Sequence, residues 1–176
     1  MMSKTSAQSG KAISHEKIDL DELDRKILSY LQEDGKASLR KIEKHLEQKY
    51  GIKSSISAIK NHIERLTNQG VIKDYIAVLD CCKIGYREML LLFIKVNSSV
   101  SIKDTLCQLQ TIDAINAIYQ VSGNQPIFCM AKCVEKENQI DLLEKVKKIE
   151  GIEEITTQVV LQKVKEDMRV SIPTPH

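Results

Sequence analysis

The chain has no C-x-x-C pair, and no histidine stands at metal-ligand spacing from two cysteines. That leaves out the usual zinc frameworks, which need soft ligands in such pairs, and neither a metal site nor a cofactor is expected. The five cysteines (Cys81, Cys82, Cys107, Cys129 and Cys133) are odd in number, and residues 1–17 contain no apolar run of the kind a secretory leader requires. A reducing cytoplasm is the expected compartment. Cys129 and Cys133, four apart in a strand-like stretch, are expected to share a face as small buried side chains. Long hydrophobic runs are missing too: the longest, Met89 to Ile94, is far too short to cross a bilayer, so no membrane partner is expected. Histidine is scarce, with only His15, His45, His62 and His176. None of them falls where it could serve as a general acid or base in the second half of the chain, which argues against an enzyme.

What is present is uneven. The net charge of the 176 residues is only +2, yet Lys36 to Arg65 holds eight Lys or Arg against three Glu, whereas Glu16 to Asp34 holds seven acids against three bases. A basic element beside an acidic one sets up a surface potential that can orient a phosphate backbone. The apolar fraction of 42% is enough for a core, and the length suits two small domains.

Apolar spacing predicts the elements. Residues 1–17 lack periodicity and form an expected mobile tail. Leu20, Leu23, Ile27, Leu28 and Leu31 mark one face of a first helix, with Gly35 as its expected C-cap. Ser38 opens a second helix carrying Leu39, Ile42 and Leu46, which stops before Gly51. Ser54 or Ser55 opens a third, with Ile56, Ile59, Ile63 and Leu66 inward, closing at Gly70. The outward side of that third helix offers Ser57, Ala58, Lys60, Asn61, His62 and Arg65, with Ser54 and Ser55 at its entrance. Asn can bond adenine through two hydrogen bonds, Arg and Lys reach guanine or phosphate, and serines at a helix N-terminus hold phosphate. A three-helix unit of this kind is a helix-turn-helix whose last helix enters a major groove, although such units also serve as protein-interaction modules. Double-stranded DNA is the expected partner.

Residues 18–70 are thus expected to form the DNA-binding domain, 71–86 a strand linker and 87–176 an α+β domain. In the last, the order reads strand (Met89–Asn97), helix (Ile102–Thr111), strand (Ala114–Val121), strand (Ile127–Val134), helix (Glu137–Ile149), strand (Ile152–Val164). That is β-α-β-β-α-β, a ferredoxin-like sheet with both helices on one face. Met89 to Ile94 and Ile127 to Ala131 are apolar on both faces, so the face without helices needs a cover. A second copy of the chain is the simplest cover, giving a homodimer with two recognition helices for a palindrome-like operator; the first domain folding back is the alternative.

Four stretches, IDLDELDRKILSYLQEDGKASLRKIEKHL, NHIERLTNQGVIKDYIAVLD, YQVSGNQPIF and GIEEITTQVVLQKVKED, in this order and spacing resemble the leucine-responsive regulatory protein (Lrp/AsnC, feast/famine) family over residues 18–172. The resemblance implies a winged-helix-like DNA-binding domain joined to a RAM-type effector-binding and oligomerising domain. It also implies dimers, often octamers of four dimers, and a free amino acid held near the hairpin loop, here Ser122, Gly123, Asn124 and Gln125. Two features depart from the pattern. The connection Gly51 to Ser55 is a residue or two longer than usual, and Asn124-Gln125-Pro126 stands where relatives carry an aromatic and an Asp, so a ligand ammonium would meet only neutral amides. The layout also resembles the sirohaem decarboxylases, but their expected His and Arg near the hairpin are lacking. A regulator that forms mixed oligomers without touching DNA is the remaining alternative.

Overall fold

The computed structural model describes residues 17–86, 88–133 and 136–173. The expected tail over residues 1–17 lies outside it except for Lys17, and the face expected to be shared by Cys129 and Cys133 is described at Cys129 alone. The chain divides into two compact units, one running to Ile76 and taken up again from Met168, the other from Ala77 to Asp167.

The first unit consists of α1 (Glu22–Glu33), α2 (Leu39–Tyr50) and α3 (Ile56–Asn68). Each starts where a side-chain oxygen meets an orphan amide. The Asp21 carboxylate accepts from the Asp24 amide at 2.7 Å, and Asp24 returns the bond from the Asp21 amide at 3.0 Å, which makes a reciprocal capping box. Ser38 caps α2 through the Lys41 amide, and Ser55 caps α3 through the Ala58 amide. Helix α1 closes at Asp34 rather than at the expected Gly35. Gly51 closes α2 at φ 69°, a left-handed conformation that side chains with a Cβ resist. Ile27, Ile42, Leu46 and Ile59 form the shared core, flanked by Leu23, Leu31 and Ile63.

The segment beyond Met168 belongs to this helical unit rather than continuing the sheet unit to the end of the chain. Gln32 on α1 holds Val170 by both ends of its amide: Nε2 donates to the Val170 carbonyl at 3.0 Å and Oε1 accepts from the Val170 amide at 2.7 Å. Arg25 Nε donates to the Pro173 carbonyl at 3.0 Å.

Residues 71–80, expected as a strand, pair with no strand among the described residues. The alternation that suggested one is real, but a strand needs a neighbour for its amides, and here Ile76, Val78 and Leu79 are exposed.

The second unit contains β1 (Glu88–Val96), α4 (Ile102–Leu109), β2 (Ile115–Gln120), β3 (Ile127–Cys133), α5 (Lys136–Lys147) and β4 (Ile152–Val159). The strands form one antiparallel sheet in the order β2-β3-β1-β4, the split βαβ arrangement. Leu90, Leu92 and Ile94 of β1 and Ile127, Cys129 and Ala131 of β3 pack with Leu109, Leu142 and Val146 into its core. The alternate residues Met89, Leu91, Phe93, Phe128 and Met130 lie on the opposite face and stay half-buried. Strand β4 ends at Val159, short of the expected Val164, because among the described residues no strand lies beside the chain beyond, and Leu161 and Val164 stand in solvent. Gly151, at φ 87°, precedes β4; a Cβ there would lie 2.6 Å from Val100.

Candidate nucleic-acid interface and effector hairpin

Helix α3 turns Ile59 and Leu66 into the core, so its opposite side carries Ser57, Lys60, Asn61 and Glu64 to the surface, one turn apart along the axis. Ser55 is exposed at the N-terminus, while Ser54 and Ala58 are half-buried at the margin. Lys60 Nζ lies 3.5 Å from Glu64 Oε1, an exposed pair that water and salt weaken and that a phosphate can replace. The connection from α2 to α3 runs Gly51 to Ser55.

His62 and Arg65, expected on the same outward side, are directed elsewhere. Arg65 Nη2 donates to both oxygens of Asp24, at 2.6 and 2.7 Å, and His62 Nδ1 lies 2.8 Å from Asp24 Oδ1. Asp24 has no exposed surface at all. Burial by itself would raise its carboxyl above the usual 3.8, but the bonds from His62 and Arg65, the Asp21 amide and the Arg65 charge outweigh that and hold it below. Asp24 is the residue that reading the sequence for function passed over. Its signal was its position: it falls between Leu20 and Ile27 on the apolar stripe of α1, where a charge demands a partner. Asp21, Asp24 and His62 offer ligand atoms all within 4.8 Å of one another, the spacing of a metal site, but the Arg65 guanidinium already supplies the cation there.

In the second unit, the turn from β2 to β3 closes with the Val121 amide donating to the Pro126 carbonyl at 2.8 Å and with Gly123 at φ 115°. Ser122, Gly123 and Asn124 are exposed. Gln125 reaches back over the sheet, its Nε2 donating to Thr156 Oγ1 of β4 at 2.8 Å. On the sheet face without helices, Phe128 contacts two other rings, Phe93 at 5.1 Å and Tyr119 at 6.0 Å between centroids.

Three capped helices with a polar, partly basic face on the third, followed by an α+β unit, define a helix-turn-helix regulator. The AsnC-type helix-turn-helix domain matches residues 20–44, and the Lrp/AsnC ligand binding domain matches residues 90–170. An uncharacterized HTH-type transcriptional regulator of Pyrococcus furiosus is 32% identical over 153 residues, 87% of this chain and 99% of its own. The HTH-type transcriptional regulator FL11 of Pyrococcus horikoshii is 30% identical over 156 residues, 89% and 99% of the two chains. The chain belongs to the Lrp/AsnC family of transcriptional regulators. The fold agrees: Escherichia coli AsnC superposes with a TM-score of 0.74 at 23% identity, over 87% of this chain and 98% of its own. A feast or famine regulatory protein from M. tuberculosis, solved complexed with L-methionine, gives 0.76 at 21% identity, over 88% and 100%. Regulators of this family act by binding, not by catalysis. Among the described residues no helix is long and apolar enough to cross a membrane.

Proposed function

We propose that this regulator acts in the cytoplasm as a homodimer that reads a palindrome-like operator with Ser55, Ser57, Lys60 and Asn61 of α3. The observation that carries this reading is the exposed stripe itself. Asn61 lies on the outward face of a helix whose inward face is fully used by its own core, and Ser55 and Lys60 flank it for phosphate. Ser54 and Ala58 line the margin of the same face. His62 and Arg65 leave the reading set, because Asp24 already engages them.

The dimer rests on the helix-free sheet face. Its Met89, Leu91, Phe93, Phe128 and Met130 are half-exposed and Tyr119 more so, an apolar patch that a second copy of the same face would bury. Dimers of this kind are in turn the building blocks for octamers. At the hairpin, Ser122, Gly123, Asn124 and Gln125 provide hydroxyl, backbone and amide groups for a small amino-acid effector. Two fold neighbours solved with methionine support that ligand class.

Selection from random duplexes at moderate salt tests the first part. The expected result is a two-fold symmetric motif with half-sites about one helical turn, 10–10.5 bp, apart. Asn61→Ala should then bind with sequence preference lost at one position per half-site, a cost of about 1–3 kcal/mol, while Arg65→Ala should lose stability and leave the preference unchanged. No enriched motif, with or without an amino-acid mixture, overturns the reading. Sedimentation of the same samples gives the assembly, and melting in the presence of each amino acid tests the hairpin.

A further inference from the structure

The second unit opens with two adjacent cysteines in the turn before β1, and neither belongs to the DNA or effector reading. Cys81 is half-buried and Cys82 exposed. Lys132 of β3 points its Nζ at Cys81 Sγ, 3.5 Å away, while the thiol donates to the Leu79 carbonyl at 3.8 Å. Lys163 joins the cluster through Glu166, which it shares with Lys132. Glu166 holds the two lysines in place, 2.7 Å from Lys163 Nζ and 3.9 Å from Lys132 Nζ. The register pairs Lys132 with Met89 and Ile127 with Ile94, so this cluster lies at the opposite end of β3 from the effector hairpin.

From this juxtaposition we infer that Cys81 and Cys82 form a thiol switch: Cys81 reacts with hydroperoxides beside the Lys132 ammonium, and Cys82 resolves it to an intrachain disulfide. Reactive cysteines sit in electropositive, partly exposed surroundings, with a second thiol at hand. In the first step Cys81, having released its proton to solvent, attacks the distal oxygen of the hydroperoxide. An S–O bond forms, the O–O bond breaks, and the alkoxide takes a proton from solvent and departs as the alcohol; sulfur loses two electrons and the peroxide gains them. In the second step the Cys82 sulfur attacks the sulfenic sulfur, an S–S bond forms, the S–O bond breaks, and water leaves with the Cys82 proton. The sum is dithiol plus hydroperoxide giving disulfide, alcohol and water.

The product bears on function. Adjacent Cα atoms across a trans peptide are about 3.8 Å apart, shorter than the roughly 4.4–6.8 Å of relaxed disulfides. A disulfide between neighbours is therefore strained and readily reduced, which suits a switch and not a staple. Oxidation also turns the thiol that Lys132 contacts into a disulfide sulfur, which cannot carry the negative charge of a thiolate, and stiffens the turn that follows the chain's passage between its two units.

The molecule contains its own controls. Cys107 is exposed on α4, and Cys129 is buried in the sheet core, which pushes its thiol up to about 11. The full-length protein is treated with hydrogen peroxide in the presence and absence of dimedone, then analysed by intact mass and peptide mapping. The expected result is loss of two hydrogens mapped to Cys81–Cys82, at least fivefold faster than any modification of Cys107. Cys82→Ser should stop at a dimedone-reactive Cys81, and Lys132→Met should slow Cys81 severalfold while leaving Cys107 unchanged. Equal rates at Cys81 and Cys107, a disulfide that links two chains, or one that takes Cys133 in place of Cys82 would each overturn the inference.

Discussion

The two units solve the burial problem differently. The sheet unit fills its interior with aliphatic side chains, and the only polar residue it fully buries among the described residues is the neutral Thr105. The helical unit, with a smaller core of Ile27, Ile42, Leu46 and Ile59, buries a full carboxylate and satisfies it from α3. Among the described residues no buried side-chain nitrogen or oxygen lacks a partner, so the charge is fully accommodated. A buried ion pair contributes less stability than an apolar contact of equal size, but it fixes geometry, since only one orientation satisfies it. The contrast teaches that α3 is held against α1 by direction as well as by packing.

Four measurements would break or sharpen this contrast. The largest effect is expected from Leu92→Ala in the centre of β1, which should cost the sheet unit about 3–4 kcal/mol. Amide exchange should report the loss in β1, β3 and β4 and leave α1 to α3 unchanged. Asp24→Ala should do the reverse, destabilising the helices by about 2–3 kcal/mol, below the 3–5 typical of a broken buried pair because Arg65 and His62 can turn to solvent. If both variants melt both units alike, the contrast fails.

Acid should reveal the same asymmetry with no substitution. Asp24 is held below the ordinary carboxyl value of 3.8 in the folded state, and the unfolded chain, with its ordinary value, takes up the proton first. The stability that Asp24 contributes is therefore present above about pH 4 and lost as pH falls toward the folded value. The helical unit should lose protection before the sheet unit in an acid titration followed by NMR. Asp24→Asn should remove that pH dependence. The smallest effect is expected from Ser55→Ala, about 1 kcal/mol for the lost cap of α3. It should be seen as faster exchange at Ser57 and Ala58, with the sheet unit silent.

Much of this was legible in the residues. The 3.6-residue spacing and the serine caps place α2 and α3 within a few residues, and the hairpin at Gly123 follows from turn chemistry. The errors share a cause. A helical wheel shows that His62 and Arg65 lie off the apolar stripe of α3, but not that Asp24, 38 and 41 residues earlier, waits opposite them. Likewise, alternation at residues 71–80 and past Val159 describes side chains suited to a strand, yet pairing depends on a neighbour, and none stands there among the described residues. Local pattern fixes what a segment can be; the partner across space decides what it becomes.

The grip of Gln32 on Val170 and of Arg25 on Pro173 has a consequence in time. A ribosome delivers α1, α2 and α3 early, but the residues that α1 grasps follow the whole sheet unit along the chain. The helical unit therefore gains its final hydrogen bonds only after the whole sheet unit has been synthesised. A chain cut short after β4 would keep α3 and leave Gln32 and Arg25 of α1 without these bonds. Completion of the helical unit thus waits until the chain has extended past the sheet unit to Pro173.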